Sequence, residues 1–359
     1  MSMFVLTFKT TYECNARCSY CHMYKHANKT YITKEIFDKS FERIIEYIES
    51  LNLDKDKKSF IRFIWHGGEP LLLDDEFYGY VKERISNVLS FKTNIKAFHD
   101  IQTNFTLFHK KDMPNLFTLL NGKFGVSYDP LSNDRKLINQ SSYHEEFLKS
   151  MIKLKKLGGR ASLTYVVTKK NINKVNDFYN FVKNLGFESI EIDPVYGIDD
   201  SMSEEEFGDF LIQLWRLWER DSYKINFAIL KSWKMMSNTL KKSAGSHYGK
   251  SCIKNTFTIT PNGDILGCGK QESKPFGNIF KNSFIEIEPI KQKIVDDRLE
   301  YLQNTPHECK DCKWWSLCYG ECPFSTNLPD VTTKQKTKWC KSYKMLFSEV
   351  FEKELEEIF

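Results

Sequence analysis

The sequence lacks several features that mark membrane, exported or nucleic-acid-binding proteins. No apolar run approaches the length of about eighteen residues that a membrane-spanning helix needs. We expect no signal peptide, because the first residues carry neither a charged region nor a small-residue cleavage site. The formal net charge is only +5 over 359 residues, with lysines scattered in short runs. We therefore expect a cytoplasmic enzyme or scaffold that binds neither membrane nor nucleic acid.

Cysteine is absent from the centre of the chain and concentrated near its two ends. Ten cysteines in a chain without an export signal indicate metal ligation rather than a disulfide framework, in a reducing and anaerobic cytosol. The N-terminal group is Cys14, Cys18 and Cys21, and the C-terminal group is Cys252, Cys268, Cys309, Cys312, Cys318, Cys322 and Cys340.

The N-terminal group also lacks a fourth cysteine nearby. Structural zinc and closed iron–sulfur clusters take four protein ligands. Three cysteines on one short loop instead describe a [4Fe–4S] cluster with one iron open to another ligand; three loop thiols without a metal are the alternative. The spacing CxxxCxxC, with Tyr20 directly before Cys21, resembles the signature of the radical S-adenosylmethionine (SAM) enzymes.

The resemblance implies a chemistry for this loop. In that family the open iron is chelated by the amino and carboxylate groups of SAM. An electron from the cluster cleaves the carbon–sulfur bond of SAM, and the resulting 5′-deoxyadenosyl radical abstracts a hydrogen atom from the substrate. Tyr20 would pack on the adenine, with simple loop packing as the alternative.

Six strand-like segments alternate with helical ones along the first two thirds of the chain. The pattern predicts an α/β fold with parallel strands and right-handed crossovers, a partial (β/α)6 TIM-like barrel. The resemblance implies the same fold. We expect a barrel domain over residues 1–235 and a second domain over 236–359, with a connector around 236–246. The six segments are 3–9, 60–65, 96–101, 123–127, 161–167 and 189–192.

A Gly-Gly-Glu-Pro segment follows the second strand. Gly67 and Gly68 let the backbone approach a ligand closely, and Glu69 supplies an acceptor for an amino group; a tight turn is the alternative. The segment matches the motif with which radical SAM enzymes hold the amino group of SAM.

Polar residues also end the third and fourth strands. Gln102 and Asn104 follow the third strand and Ser127 ends the fourth, where a ribose and a carboxylate would need partners. The resemblance implies that Ser127 contacts the ribose and that Arg135 contacts the carboxylate. The segment before Arg135 departs from the family pattern, so a surface salt bridge is the alternative for this residue.

The C-terminal cysteines are a second signal. CxxC pairs are common zinc ligands, so one or two zinc sites are an alternative. The whole pattern, with a hairpin turn at Pro261-Asn262-Gly263-Asp264, resembles the SPASM domain, which holds auxiliary [4Fe–4S] clusters. We expect a β-hairpin, short strands, short helices and turns, and a terminal helix around Met345 to Leu355. The resemblance assigns Cys252, Cys268 and Cys322 to a first cluster, and Cys309, Cys312, Cys318 and Cys340 to a second.

Some relatives have a further cysteine shortly before the position of Cys252, but this chain has none there. Our hypothesis is that the first auxiliary cluster keeps an open iron, or takes His247 or a substrate thiolate as its fourth ligand.

The resemblance implies a peptide or protein substrate, a flavodoxin or ferredoxin as electron donor, and three [4Fe–4S] clusters. The leading interpretation is a maturase that oxidises or crosslinks a peptide through a carbon–carbon or thioether bond. A leader peptide would be bound elsewhere, by a separate leader-binding protein, or not needed. Asp129 and Asp193 are the candidate catalytic bases, each with a structural role as the alternative.

Three other functions stay open. An anaerobic sulfatase maturase would form formylglycine, but Gly269 stands where those enzymes carry an aspartate, their probable base. A radical SAM oxidase of a small molecule is another alternative. A non-catalytic metal scaffold is disfavoured, because a scaffold needs no SAM site.

Overall fold

The computed structural model describes residues 2–21, 23, 29–53, 58–196, 202–239, 255–269, 275–304, 309–318, 320 and 336–352. The chain divides into two compact units. The first comprises Met1–Ser127, Arg135–Ala161 and Ile253–Lys293, and the second comprises Tyr128–Asp134, Ser162–Cys252 and Ile294–Phe359.

Strands and helices alternate through most of the described chain. The strands are β1 (Ser2–Lys9), β2 (Ala16–Cys18), β3 (Ser59–His66), β4 (Ile95–Thr103), β5 (Lys123–Ser127), β6 (Arg135–Leu137), β7 (Arg160–Val167), β8 (Ile190–Pro194), β9 (Thr256–Ile259), β10 (Asp264–Leu266) and β11 (Gly277–Asn278). The α-helices are α1 (Lys34–Ser50), α2 (Asp75–Leu89), α3 (Pro114–Leu119), α4 (Tyr143–Lys156), α5 (Val175–Leu185), α6 (Glu204–Arg220), α7 (Ala228–Thr239), α8 (Phe284–Asn304), α9 (Trp315–Cys318) and α10 (Cys340–Phe347), which a π-helical turn, Ser348–Glu352, continues.

One sheet organises the first unit, with strand order β11-β10-β9-β1-β3-β4-β5. Strands β1, β3, β4 and β5 are parallel neighbours, and β9 also runs parallel to β1. Helices α1 and α2 lie in the first two crossovers, which parallel pairing requires. The carboxyl ends of β1, β3, β4 and β5 therefore share one edge, and the candidate ligands follow that edge.

Aromatic side chains fill the core between this sheet and its helices. Phe8 stacks on Trp65 with ring centroids 5.0 Å apart and lies 5.7 Å from Phe37 of α1. Each such fully buried ring contributes roughly 1.5–3 kcal/mol to folding. Helix α1 begins after Thr33, whose side chain caps the helix by accepting a hydrogen bond from the backbone N–H of Ile36.

The second unit pairs β7 with β8 in parallel and packs α6 against α10. Ser203 and Glu206 form a capping box at the start of α6. Phe207 contacts Trp339 at 5.1 Å between ring centroids, and the hydroxyl of Ser342 donates to the carbonyl of Glu204. These contacts fix the start of α10, where Cys340 lies.

Strands β1, β3, β4, β5, β7 and β8 are the six strands that the sequence predicts, and their position is confirmed. Helix α8, which spans Phe284–Asn304, is longer than the short helices that the sequence predicts for this part of the chain. The sequence shows no helical period here, because the apolar residues do not share one face: Ile285 and Ile290 are exposed while Ile287 is buried. Pro289, which is unfavourable inside a helix, also lies in this segment. The last helix begins at Cys340 rather than near Met345.

The predicted hairpin turn is confirmed. The N–H of Gly263 donates to the carbonyl of Thr260 and the N–H of Thr260 donates to the carbonyl of Asp264, both at 3.0 Å. Gly263 has a φ of +81°, which favours glycine. The hairpin extends the first unit's sheet through β9. The domain boundary at residues 235 and 236 stays a prediction: it falls inside α7, and residues 240–254 lie outside the described ones.

Candidate active site

The loop of Cys14, Cys18 and Cys21 leaves the carboxyl end of β1, as predicted. All three thiols are half-buried. The backbone N–H of Ala16 donates to the Sγ of Cys14 at 3.4 Å, and the Nδ2 of Asn104 donates to the same sulfur at 3.6 Å. These donors favour the thiolate, the form that binds iron, and they oppose burial, which raises the pKa of Cys14. The loop therefore fits an iron–sulfur cluster.

The Gly-Gly-Glu-Pro segment packs directly on this loop. The N–H of Gly68 donates to the carbonyl of Thr11 at 2.7 Å, and the N–H of Glu69 donates to the carbonyl of Glu13 at 2.9 Å. A Cβ added to Gly68 would lie 2.0 Å from the Glu13 oxygen, and one added to Gly67 would lie 2.5 Å from the Thr11 oxygen. What the two glycines approach closely in this structure is the backbone leading to the cysteines, and their contact with a ligand stays a prediction.

Glu69 is completely buried. Its Oε1 accepts from the hydroxyl of Thr103 at 2.5 Å and from the N–H of Leu71 at 2.9 Å, and its Oε2 accepts from the N–H of Asn104 at 2.8 Å. Burial raises the pKa of Glu69 to about 7, although these bonds and the charge of Lys111 favour the ionised form. The carboxylate is thus held in one orientation at the edge where the cysteine loop lies.

The ends of β4 and β5 are joined by side-chain hydrogen bonds. Gln102 Nε2 donates to the hydroxyl of Ser127 at 2.6 Å. The hydroxyl of Tyr143 donates to the carbonyls of Ser127 and Asn104 at 2.9 and 3.1 Å. These bonds fix Gln102, Asn104 and Ser127, the three residues that the sequence places where the ribose and carboxylate of SAM need partners. Their contact with SAM stays a prediction.

Arg135 lies beside the cysteine loop because of a pairing that the sequence does not indicate. Strands β2 and β6 form a two-stranded antiparallel sheet with Cys18 opposite Arg135. The guanidinium is 4.0 Å from the Sγ of Cys18, 5.4 Å from the ring centroid of Tyr20 and 5.9 Å from that of Tyr143. Tyr20 and Arg135 therefore lie side by side, Tyr20 in the loop of Cys14, Cys18 and Cys21 and Arg135 next to it. Strands of three residues carry too little alternation to be read from sequence.

The two candidate bases lie in the second unit. Asp129 is buried, and its carboxylate accepts the backbone N–H of Val166 in β7 at 3.0 Å. This bond gives Asp129 a structural role at the end of β7. Asp193 is half-buried near the carboxyl end of β8. A catalytic role stays a prediction for both.

Cys268 follows the hairpin in the first unit and is half-buried. Lys9, at the end of β1, is 2% exposed, and burial lowers its pKa to about 8 while the charge of Cys268 opposes that shift. A Cβ added to Gly269 would meet Thr7 Cγ2 at 3.7 Å, an ordinary contact. Sequence reasoning did not single out Lys9, since a lysine in a strand gives no sign of burial.

In the second unit, Cys309, Cys312, Cys318 and Cys340 line one cavity, together with Trp314, Trp315, Gly320, Lys336, Thr337, Tyr343, Lys344 and Phe347. The structure thus brings together the four cysteines assigned to the second auxiliary cluster. Within the described residues, no three His, Cys, Asp or Glu side chains are grouped to hold one metal ion. Cys252, Cys322 and His247 lie outside the described residues.

Comparison with protein families decides between these interpretations. The model of the radical SAM superfamily matches residues 8–182, and that of the iron–sulfur cluster-binding SPASM domain matches residues 251–313. This chain is a radical SAM protein with a SPASM domain. It is also an enzyme, and it binds SAM and iron–sulfur clusters.

Individual relatives extend over nearly the whole radical SAM–SPASM chain. It is 26% identical to the cysteine-type anaerobic sulfatase-maturating enzyme of Clostridium novyi (strain NT), over 96% of this chain and 94% of that enzyme. It is 25% identical to the serine-type enzyme of Bacteroides thetaiotaomicron, over 94% of this chain and 86% of that one.

Solved structures give the fold. Native anSMEcpe with bound AdoMet and Cp18Cys peptide matches with a TM-score of 0.81 and 22% identity, over 100% of this chain and 99% of that one. SuiB of Streptococcus suis bound to precursor peptide SuiA matches with a TM-score of 0.63 and 13% identity, over 94% and 76%. The predicted α/β partial barrel followed by a SPASM domain is confirmed. None of the described helices is long and apolar enough to span a membrane.

Proposed function

We propose that this radical SAM–SPASM enzyme is a peptide maturase that abstracts a hydrogen atom from a peptide residue and oxidises or crosslinks it. One observation carries the proposal. The loop of Cys14, the Glu69 carboxylate and the end of β4 are joined by hydrogen bonds into one site. A cluster ligand and an acceptor for the amino group of SAM are thus available together.

The proposal assigns each side chain a task at this site. Cys14, Cys18 and Cys21 hold the SAM-binding cluster, which when bound supplies the electron that releases the 5′-deoxyadenosyl radical. Glu69 accepts from the amino group of SAM. Contacts to the adenine, ribose and carboxylate fall to Tyr20, Gln102, Ser127 and Arg135, whose positions beside the loop support this assignment.

The second unit supports the oxidative half of the proposal. The substrate would lose one hydrogen atom to the 5′-deoxyadenosyl radical, which becomes 5′-deoxyadenosine, and then one electron and one proton as the new bond forms. We propose that two auxiliary [4Fe–4S] clusters take this electron to a flavodoxin or ferredoxin, the same class of carrier that supplies the first electron. Cys252, Cys268 and Cys322 would hold one and the cavity of Cys309, Cys312, Cys318 and Cys340 the other.

Two details of the site belong to the same proposal. Asp193, near the end of β8, is the first candidate for the proton acceptor, with Asp129 second because it already binds the backbone of β7. The fourth position of the first auxiliary cluster would stay open, or be filled by His247 or a substrate thiolate. A separate leader-binding protein would present a substrate that carries a leader.

Similarity to curated relatives favours a second candidate function, an anaerobic sulfatase maturase that forms formylglycine. Two such enzymes align with more than nine tenths of this chain. Gly269 weighs against this candidate, because those enzymes carry an aspartate at this position. The described structure has room for a side chain there, since an added Cβ would make only an ordinary contact. Two of the matched structures contain a bound peptide, which supports a peptide substrate under either candidate.

The test uses the anaerobically reconstituted enzyme with SAM, a reductant and candidate peptides, including small peptides encoded nearby and a cysteine-containing sulfatase peptide. A maturase transfers deuterium from a labelled peptide into 5′-deoxyadenosine and returns a peptide short of two hydrogen atoms. A hydrazide-reactive aldehyde in the sulfatase peptide would instead establish the second candidate. Deoxyadenosine without label from any peptide would overturn both.

A further inference from the structure

Asn104 is the residue on which the described part of the active site converges. It directly follows β4 and is 7% exposed. The sequence analysis predicts that it contacts SAM. Its side-chain Nδ2 donates to the Sγ of Cys14 at 3.6 Å and to the Oδ1 of Asn15 at 2.7 Å. Its Oδ1 accepts from the N–H and the hydroxyl of Thr106 at 3.0 and 2.7 Å. Both ends of the amide are thus engaged by protein.

A ring of bonds locks this amide in place. Asn15 Nδ2 donates to the hydroxyl of Thr106 at 2.9 Å, and that hydroxyl donates to Asn104, so Asn104, Asn15 and Thr106 close a cycle. Thr106 is completely buried. A fully satisfied buried network of this kind is rigid, since moving any member leaves a polar group without its partner.

The backbone of Asn104 ties in two further elements. Its N–H donates to Glu69 at 2.8 Å, and its carbonyl accepts from the hydroxyl of Tyr143 at 3.1 Å. One residue therefore connects the cysteine loop, the Gly-Gly-Glu-Pro segment and helix α4.

We infer that Asn104 is a positioning residue whose amide N–H binds the Cys14 sulfur and sets the reduction potential of the SAM-binding cluster, rather than a direct contact of SAM. A donor on a ligating sulfur stabilises the more negative, reduced cluster and so raises its potential. The inference rests on the cluster site of the proposed function. Iron binding and SAM cleavage by the wild-type enzyme test that site separately.

The experiment compares three variants of the full-length enzyme. Asn104→Ser loses the reach to Cys14 and stays neutral, and Asn104→Asp keeps the shape but replaces the donor by a charged oxygen. Thr106→Val is the matched control, because it breaks the same ring yet leaves the amide N–H beside the sulfur. Each is titrated with dithionite and mediators while the cluster signal that changes on SAM addition is followed by electron paramagnetic resonance, and the Kd for SAM is measured by equilibrium dialysis.

We expect a lower midpoint potential in Asn104→Ser, a still lower one in Asn104→Asp, and a smaller change in Thr106→Val, with Kd for SAM within about twofold of wild type. Loss of the N-terminal cluster from both Asn104 variants, but not from folded Thr106→Val, would also support the inference. An unchanged potential with SAM binding weakened about tenfold or more would overturn it and make Asn104 a SAM contact. Equal unfolding of all three variants would overturn it in favour of a purely structural role.

Discussion

The two described groups of cysteines are built in different ways. The N-terminal trio, Cys14, Cys18 and Cys21, lies on one loop, and two polar side chains approach its sulfurs: Asn104, which follows β4, lies at Cys14, and Arg135 of β6 lies at Cys18. The C-terminal quartet is gathered from separate segments around one cavity with aromatic walls, Trp314 and Phe347 among them. Three ligands with polar neighbours suit a cluster that must bind a polar cosubstrate. Four ligands in an aromatic setting suit a closed cluster that only passes electrons.

The largest expected effect separates the two groups directly. Cys14→Ala should remove about four irons and reduce SAM cleavage below detection, because the open-iron cluster cannot form. Cys312→Ala should also remove about four irons, from the wild-type total of about twelve, yet leave reductive SAM cleavage in place. Iron and sulfide assay with chromatography of 5′-deoxyadenosine checks both. Equal loss of cleavage in both variants would show that the two sites are not separable in function.

The contact between loops at the trio is the next target. Gly68→Ala should abolish SAM binding and loosen the cluster, because its Cβ would lie 2.0 Å from the Glu13 oxygen and must push the two loops apart. Gly158→Ala is the control: it has a φ of +72° but nothing within 4 Å in the described structure. That substitution should cost about 1 kcal/mol of stability without affecting iron content. SAM binding by Gly68→Ala at the wild-type level would contradict the close packing.

The cluster ligands can be predicted from the sequence more readily than the residues that position them. Cysteine spacing, the Gly-Gly-Glu-Pro segment and the six parallel strands follow local patterns, so they can be predicted. The approach of Arg135 to Cys18 depends on the pairing of two three-residue strands far apart in the chain. The ring of Asn104, Asn15 and Thr106 is likewise long-range, and no spacing rule encodes it. The length of helix α8 is not predicted because its apolar residues do not share one face.

A smaller effect concerns the protonation of Glu69, which lies beside the loop of the trio. The pKa of Glu69 is raised to about 7 by burial, so the carboxylate is protonated below that pH and cannot accept from the amino group of SAM with full charge. SAM affinity should therefore rise with pH and level off above pH 7, being about tenfold weaker at pH 6 than on the plateau. Equilibrium dialysis between pH 5.5 and 8.5 measures this profile.

Two variants sharpen the assignment to Glu69. Glu69→Gln should bind SAM about 10–100-fold more weakly at pH 8, with the carboxyl-dependent step gone. Thr103→Val removes a donor that stabilises the ionised form, so the step should move to higher pH. A profile that neither variant changes would assign the proton to another group.

The smallest expected effect concerns the lysines beside the quartet of Cys309, Cys312, Cys318 and Cys340. A [4Fe–4S] cluster with four thiolates is anionic, and Lys336 and Lys344 line its predicted cavity. A lysine about 10 Å away at an effective dielectric near 20 contributes roughly 1–2 kcal/mol, so Lys344→Met should lower that cluster's midpoint potential by about 50 mV. Lys224→Met is the control, since Lys224 is exposed in the same unit, does not line the cavity and is not next to a cysteine in the chain. The potential of the SAM-binding cluster should stay constant in both variants. If Lys224→Met lowers the quartet's potential as much as Lys344→Met does, the potential reflects general surface charge, and the cavity lysines have no special relation to the cluster.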